Sequence, residues 1–194
     1  MKLYMIRHGE SEANFTNTHA GWGAFRLTDK GRSEAEAVGR IIRGLTFDKV
    51  YSSDLPRALE TQQIALPDAL SEQCSLLREI NVGKLSGMPV TECERIYGEE
   101  YLKNRVEMNL KPYGGEDFND ISTRAKEFMS LLEKSSSNMV AAFSHNGLIK
   151  MVFKNIVGVY PYELALSNCG LCVFEFTNGK WKVVNWNYTP IDLL

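Results

Sequence analysis

Leu3-Tyr4-Met5-Ile6-Arg7-His8-Gly9-Glu10-Ser11 carries four apolar residues straight into an arginine, a histidine and a Gly-containing polar loop. A second stretch repeats the design, Met139-Val140-Ala141-Ala142-Phe143 leading into Ser144-His145-Asn146-Gly147. Short apolar runs that break into polar loops read as buried strands of an open α/β sheet. In such a sheet, ligand-binding groups gather just beyond the carboxyl ends of the strands. Two of the three histidines therefore sit where a sheet of this kind holds a ligand, one of them directly behind an arginine. That placement points to a phosphate site built around a nucleophilic histidine.

Outward from these strands, helix and strand signals alternate. Lys2–Ile6 is the first strand, and Thr28 is a candidate N-cap for a helix running to about Leu45, with Ala35, Val38, Ile41 and Ile42 on one face. Phe47–Tyr51 reads as a strand and Leu55–Ala65 as a helix with Pro56 in its first turn. Residues 66–115 lose this regularity and hold Gly83, Gly87 and Pro89, so they read as a cap inserted over the strand ends of a single domain spanning 1–194. Asp117–Lys134 is amphipathic, Met139–Phe143 a buried strand and Gly147–Val157 a helix. The dipeptide Asn178-Gly179 joins strands Leu171–Phe176 and Lys182–Asn187 as a hairpin, giving the sheet an antiparallel edge. The expected class is α/β, with a mostly parallel sheet.

Composition narrows the function. A chain of 194 residues, 44% hydrophobic and 24% charged, is ordinary for a globular domain. The formal net charge of -2 supplies no basic field for nucleic acid or an anionic membrane, so any anion must be attracted locally. A small phosphorylated substrate fits that better than a polymer. No apolar stretch reaches the roughly 18 residues of a membrane span. Lys2 is followed by four apolar residues before Arg7, too few for a secretory signal core, so a cytoplasmic location is expected. Cys169-Gly170-Leu171-Cys172 has redox-motif spacing but runs into a strand pattern rather than a helix, so structural thiols are expected. The edge near Trp181–Trp186 is a candidate seam for a homodimer.

Phosphoryl transfer needs cations on the equatorial oxygens, an in-line nucleophile and a proton for the leaving oxygen. Arg7, His8 and His145 leave strand ends, and Arg57 follows another in Ser52-Ser53-Asp54-Leu55-Pro56-Arg57. Arginine suits the role because its planar fork pairs two phosphate oxygens and stays charged. A neutral imidazole can attack phosphorus if its other nitrogen is tied to a carbonyl. Glu79, in Leu77-Arg78-Glu79-Ile80, is the candidate acid, kept protonated by a cap that excludes water. Lys84, Arg105 and Tyr113 are candidate readers of the substrate's remote end, and Trp22 and Phe25 candidate pocket walls.

Arg7-His8-Gly9-Glu10-Ser11-Glu12-Ala13-Asn14 resembles the signature of the histidine phosphatase superfamily, in the branch of cofactor-dependent phosphoglycerate mutases and related phosphatases. Further blocks match in order: Leu27-Thr28-Asp29-Lys30-Gly31, Tyr51 to Thr61, Leu77-Arg78-Glu79, Gly83 to Gly87, Gly114-Gly115-Glu116 and Ser144-His145-Asn146-Gly147. The resemblance implies a three-layer α/β/α sandwich, no metal and no cofactor. It implies His8 as nucleophile, Arg7, Arg57 and His145 as the phosphate pocket, and Glu79 as proton donor. Asn14 is implied to reach the phosphoryl group, and Glu10, Ser11 and Asn146 come with the matched loops as substrate contacts.

Departures from the mutase pattern favour a phosphatase. Ile80 stands where mutases carry an arginine, Val90 where they carry a lysine, and Arg105 is followed by Val106 rather than by a second arginine. Each missing charge-assisted contact is worth about 1.5–3 kcal/mol, so a phosphoglycerate would be held poorly. A phosphoglycerate mutase and an α-ribazole phosphate phosphatase stand as alternatives within the family. A phospho-ligand-binding regulatory module without turnover is the alternative of another class.

Overall fold

The computed structural model describes residues 1–189. Its strands are β1 (Lys2–Arg7), β2 (Lys49–Ser52), β3 (Glu72–Gln73), β4 (Met139–Ser144), β5 (Leu171–Thr177) and β6 (Lys180–Tyr188). Its helices are α1 (Glu12–Phe15), α2 (Asp29–Ile42), α3 (Pro56–Ala65), α4 (Val90–Val106), α5 (Phe118–Glu133) and α6 (Asn146–Val157). One sheet runs in the order β3-β2-β4-β1-β5-β6. The first four of these strands are parallel neighbours, β5 pairs antiparallel to β1, and β6 antiparallel to β5.

Period-two alternation makes this a three-layer α/β/α sandwich. Leu3 and Met5 of β1, with Val140 and Ala142 of β4, join α5 and α6 in one apolar cluster through Phe128, Leu132, Leu148 and Val152. Ile6, Ala141 and Phe143 point to the opposite face and meet Ala35, Val38 and Ile42 of α2 and Ala65 of α3. Each central strand is thus buried on both faces, which is why its sequence reads as a continuous apolar run.

Thr28 caps α2 by accepting from the Gly31 N–H. The helix stops at Ile42, short of the expected Leu45, where the Leu45 N–H turns back to the Ile42 carbonyl and the Arg43 guanidinium holds the Ile64 and Ala65 carbonyls. The hairpin forms at Asn178 and Gly179, whose φ values of 51° and 73° are the left-handed pair that a tight turn needs. The segment expected as a cap starts later than residue 66, since Glu72–Gln73 pairs with β2 in the sheet. Beyond it lie three short 3-10 turns and α4, kinked at Gly98, with their own cluster of Val82, Leu85, Cys93, Tyr101, Leu110 and Tyr113. Trp181 and Trp186 donate to Glu133 and to the Ala165 carbonyl and pack on the chain's own core. The four cysteines are free thiols. No helix among the described residues is long and apolar enough to cross a membrane.

Candidate active site

Register builds the site. β1 and β4 are parallel neighbours in which Arg7 faces Ser144, so His8 and His145 leave the sheet from the same rung. The His8 N–H donates to the Ser144 carbonyl at 2.9 Å, and the two imidazole rings stand 5.1 Å apart. Both histidines are buried, at 4% and 0% exposure.

The His8 Nδ1 lies 2.7 Å from the Gly9 carbonyl, which accepts only and so fixes the proton on Nδ1. The Nε2 lone pair therefore faces the site. Burial, then the charges of Arg57 and Arg7, hold this imidazole well below its ordinary value, so it is neutral. The loop behind it is clamped by Thr61, whose Oγ1 accepts from the Gly9 N–H and donates to the Arg57 carbonyl.

Arg57 stands in the first turn of α3, fully buried, a position possible for a guanidinium only where its donors find acceptors. Its Nε donates to His8 Nε2 at 3.2 Å, and its terminal nitrogens donate to the Gly21 and Gly23 carbonyls. Burial lowers its pKa to about 10, which leaves it charged at neutrality. Arg7 donates to the Leu166 carbonyl at 2.6 Å, while its buried Nε has no partner. His145 meets the Ser53 hydroxyl through Nε2 at 2.8 Å, and its buried Nδ1 is likewise unpaired. Two orphaned nitrogens and two guanidinium groups beside one imidazole are donors and charge that the oxygens of a dense anion would satisfy.

Glu79 lies at the entrance of α6, where the Gly147 N–H points at both carboxyl oxygens, at 3.0 and 3.2 Å. A Cβ at position 147 would collide with Oε1, so only glycine lets the carboxyl approach this closely. The Glu79 carbonyl accepts from Arg124 and from the Trp22 indole, and Arg78 stacks on that indole while forking onto Asp54. Arg124 also holds the Leu76 and Arg78 carbonyls and pairs with Glu116. A backbone fixed at this many points holds the acid in one place.

The other expected contacts separate into two groups. Asn146, beside Gly147 at the start of α6, lines a cavity together with Glu79. Ser11 and Asn14 close a capping box on α1, with Asn14 Oδ1 also accepting from Asn168, whose amide holds the His8 carbonyl. The Glu10 carboxylate is turned away, bound by the Thr28 hydroxyl and Lys30 at the start of α2. Among the remote-end candidates, Arg105 lines the cavity, whereas the Lys84 ammonium sits over the Tyr97 and Tyr113 rings. Sequence reasoning missed Ser53, Thr61 and Arg124. Ser53 and Thr61 stand inside the matched blocks as unremarked hydroxyls, and Arg124 reads as an ordinary polar position of an amphipathic helix. Among the described residues, no three His, Cys, Asp or Glu side chains gather as a metal site.

Known proteins agree with this architecture. The chain is 30% identical over 182 residues to a 2,3-bisphosphoglycerate-dependent phosphoglycerate mutase from Gloeobacter violaceus, covering 88% of this chain and 82% of that protein. The fold superimposes on the α-ribazole phosphatase of Shigella flexneri with a TM-score of 0.89 at 21% identity, covering 97% and 96% of the two chains. A phosphoserine phosphatase variant from Entamoeba histolytica, solved with phosphoserine, aligns with a TM-score of 0.80 at 27% identity, covering 96% of each chain. The family model of the histidine phosphatase superfamily (branch 1) matches residues 3–189, and the chain is therefore an enzyme belonging to that superfamily.

Proposed function

We propose that the protein is a metal-independent phosphomonoesterase that hydrolyses a small phosphorylated metabolite through a phosphohistidine on His8. One observation carries the reading: a neutral imidazole, its Nδ1 tied to the Gly9 carbonyl, presents Nε2 to Arg57, with His145 and the charge of Arg7 close by. The Nε2 lone pair attacks phosphorus as the ester P–O bond breaks, and the guanidinium groups hold the equatorial oxygens. The leaving oxygen takes a proton from Glu79. Water then attacks the phosphohistidine, the Glu79 carboxylate receives its proton, and phosphate leaves with His8 restored. Ile80, an apolar side chain beside the acid and lining the cavity, supports a phosphatase over a phosphoglycerate mutase.

The test uses phenyl phosphate in the presence of a chelator. Phosphate release, acid-labile labelling of the wild type and loss of both in His8→Ala are expected. Undiminished release by His8→Ala would overturn the mechanism. The mutase is a second reading, favoured by the name of the 30% identical relative. It requires conversion of 3-phosphoglycerate to its isomer after priming with 2,3-bisphosphoglycerate, and absence of that product removes it.

A further inference from the structure

A cavity of about 540 Å³ opens from the acid, lined by Glu79, Asn146 and Gly147 at its inner end. Its walls are mostly apolar, with Ile80 beside the acid, Val106 at the end of α4, Met108 just beyond it, and Tyr160. Val106 is 69% exposed and Tyr162, on the same rim, 58% exposed. Large apolar side chains left open around a concavity are what a ligand body covers.

One cation enters this apolar space from α6. Lys150 follows Asn146 by four residues, so it stands one helical turn along on the same face and lines the same cavity. Its ammonium carries three donors, and its contact with the Tyr162 carbonyl is long, at 3.4 Å. Burial and the positive field of Arg7 oppose its charge, while Glu163 supports it through its field. An anion in the cavity would reverse that balance. Arg105, the other cation on the lining, pairs with Glu94 at 3.7 Å. A single ammonium with no paired carboxylate among the described residues matches a monoanionic carboxylate, while the Arg105 charge is already offset by Glu94.

Resting on the phosphatase reading above, we propose that the substrate's leaving group has a ring-sized apolar body seated between Ile80, Val106 and Tyr160, and a carboxylate that pairs with Lys150. Lys150 is then a specificity-determining residue. The phosphoryl group stays with His8, and the carboxylate lies beyond the acid on the helix that anchors it.

The experiment compares para-propylphenyl phosphate, the analogue whose propyl chain ends in a carboxylate, and glycerol phosphate. The wild type should favour the carboxylated ring ester over the neutral one in kcat/KM by roughly tenfold, the scale of one partly solvated charge-assisted contact. Lys150→Met should bring that ratio to about one, chiefly through KM, and Lys150→Glu should invert it. Val106→Glu, a change at an exposed position, should lower both ring esters relative to glycerol phosphate. An unchanged ratio in active Lys150→Met overturns the carboxylate, and equal use of glycerol phosphate overturns the apolar body. Failure of every ester, with no labelled His8, overturns the phosphatase reading itself and this proposal with it.

Discussion

The Arg57 Nε–H donates to the His8 Nε2 at 3.2 Å, so the lone pair assigned to attack is already in contact with a cation. In the resting protein this bond holds the imidazole in its attacking orientation. In the mechanism proposed above it yields when a phosphoryl group arrives to take the guanidinium. Lysine cannot reproduce it, because an ammonium lacks both the Nε donor and the terminal pair that grips Gly21 and Gly23. Arg57→Lys should therefore lower kcat/KM for phenyl phosphate by about 10²–10³, the usual cost of a preorganised charge stabiliser. Activity within threefold of wild type would refute this.

The pH dependence follows from two neutral histidines. Burial and the nearby arginines hold His8 and His145 well below their ordinary 6.5. As pH falls below that value the unfolded chain takes up protons that the folded protein refuses, so unfolding becomes easier. The stability tied to these imidazoles is complete above about pH 6.5 and is lost as pH falls toward the folded values. Each contributes up to ~1.4 kcal/mol per pH unit within that window. Urea midpoints between pH 7 and 5 should decline in the wild type and less steeply in His145→Asn. The acid limb of kcat/KM should also lie below 6.5, because His8 keeps its lone pair there.

Glu79→Gln keeps an oxygen for the Gly147 N–H but has no proton to give. Esters with poor leaving groups, such as alkyl phosphates, should slow by about 10²–10⁴. Nitrophenyl phosphate, whose leaving oxygen needs no acid, should slow far less. Equal losses for both substrates would show that Glu79 acts only by position.

Arg124 supports the acid from behind, joining three carbonyls to Glu116 with little exposure of either side chain. Arg124→Met leaves those acceptors and the Glu116 charge unpaired, at a cost of about 2–4 kcal/mol in urea unfolding. Turnover of alkyl phosphates in the remaining folded protein should fall, with nitrophenyl phosphate again spared. A loss of stability with unchanged alkyl turnover would separate Arg124 from the acid.

Much of the fold was legible because local signals and burial agreed. Leu3 and Met5 alternate with Tyr4 and Ile6 as a strand buried on both faces must, and Asn178-Gly179 set the hairpin where its backbone required it. The two-residue strand Glu72–Gln73 was not legible, since so short an edge carries no period and pairs only because β2 offers it acceptors. Within the site, strand exits placed His8 and His145 directly. The resting partners of Glu10 were not legible, because a carboxylate beside a histidine in sequence is free to turn to the start of a helix, here to Thr28 and Lys30. Ser53 and Arg124 could not be read, since their meaning depends on residues about 90 and 45 positions away.

The shared rung between β1 and β4 ties the meeting of the two imidazoles to the pairing of the central strands. No partly opened form that parts these two central strands can keep the imidazoles together. Turnover surviving under denaturing conditions therefore counts the molecules in which β1 and β4 are still paired.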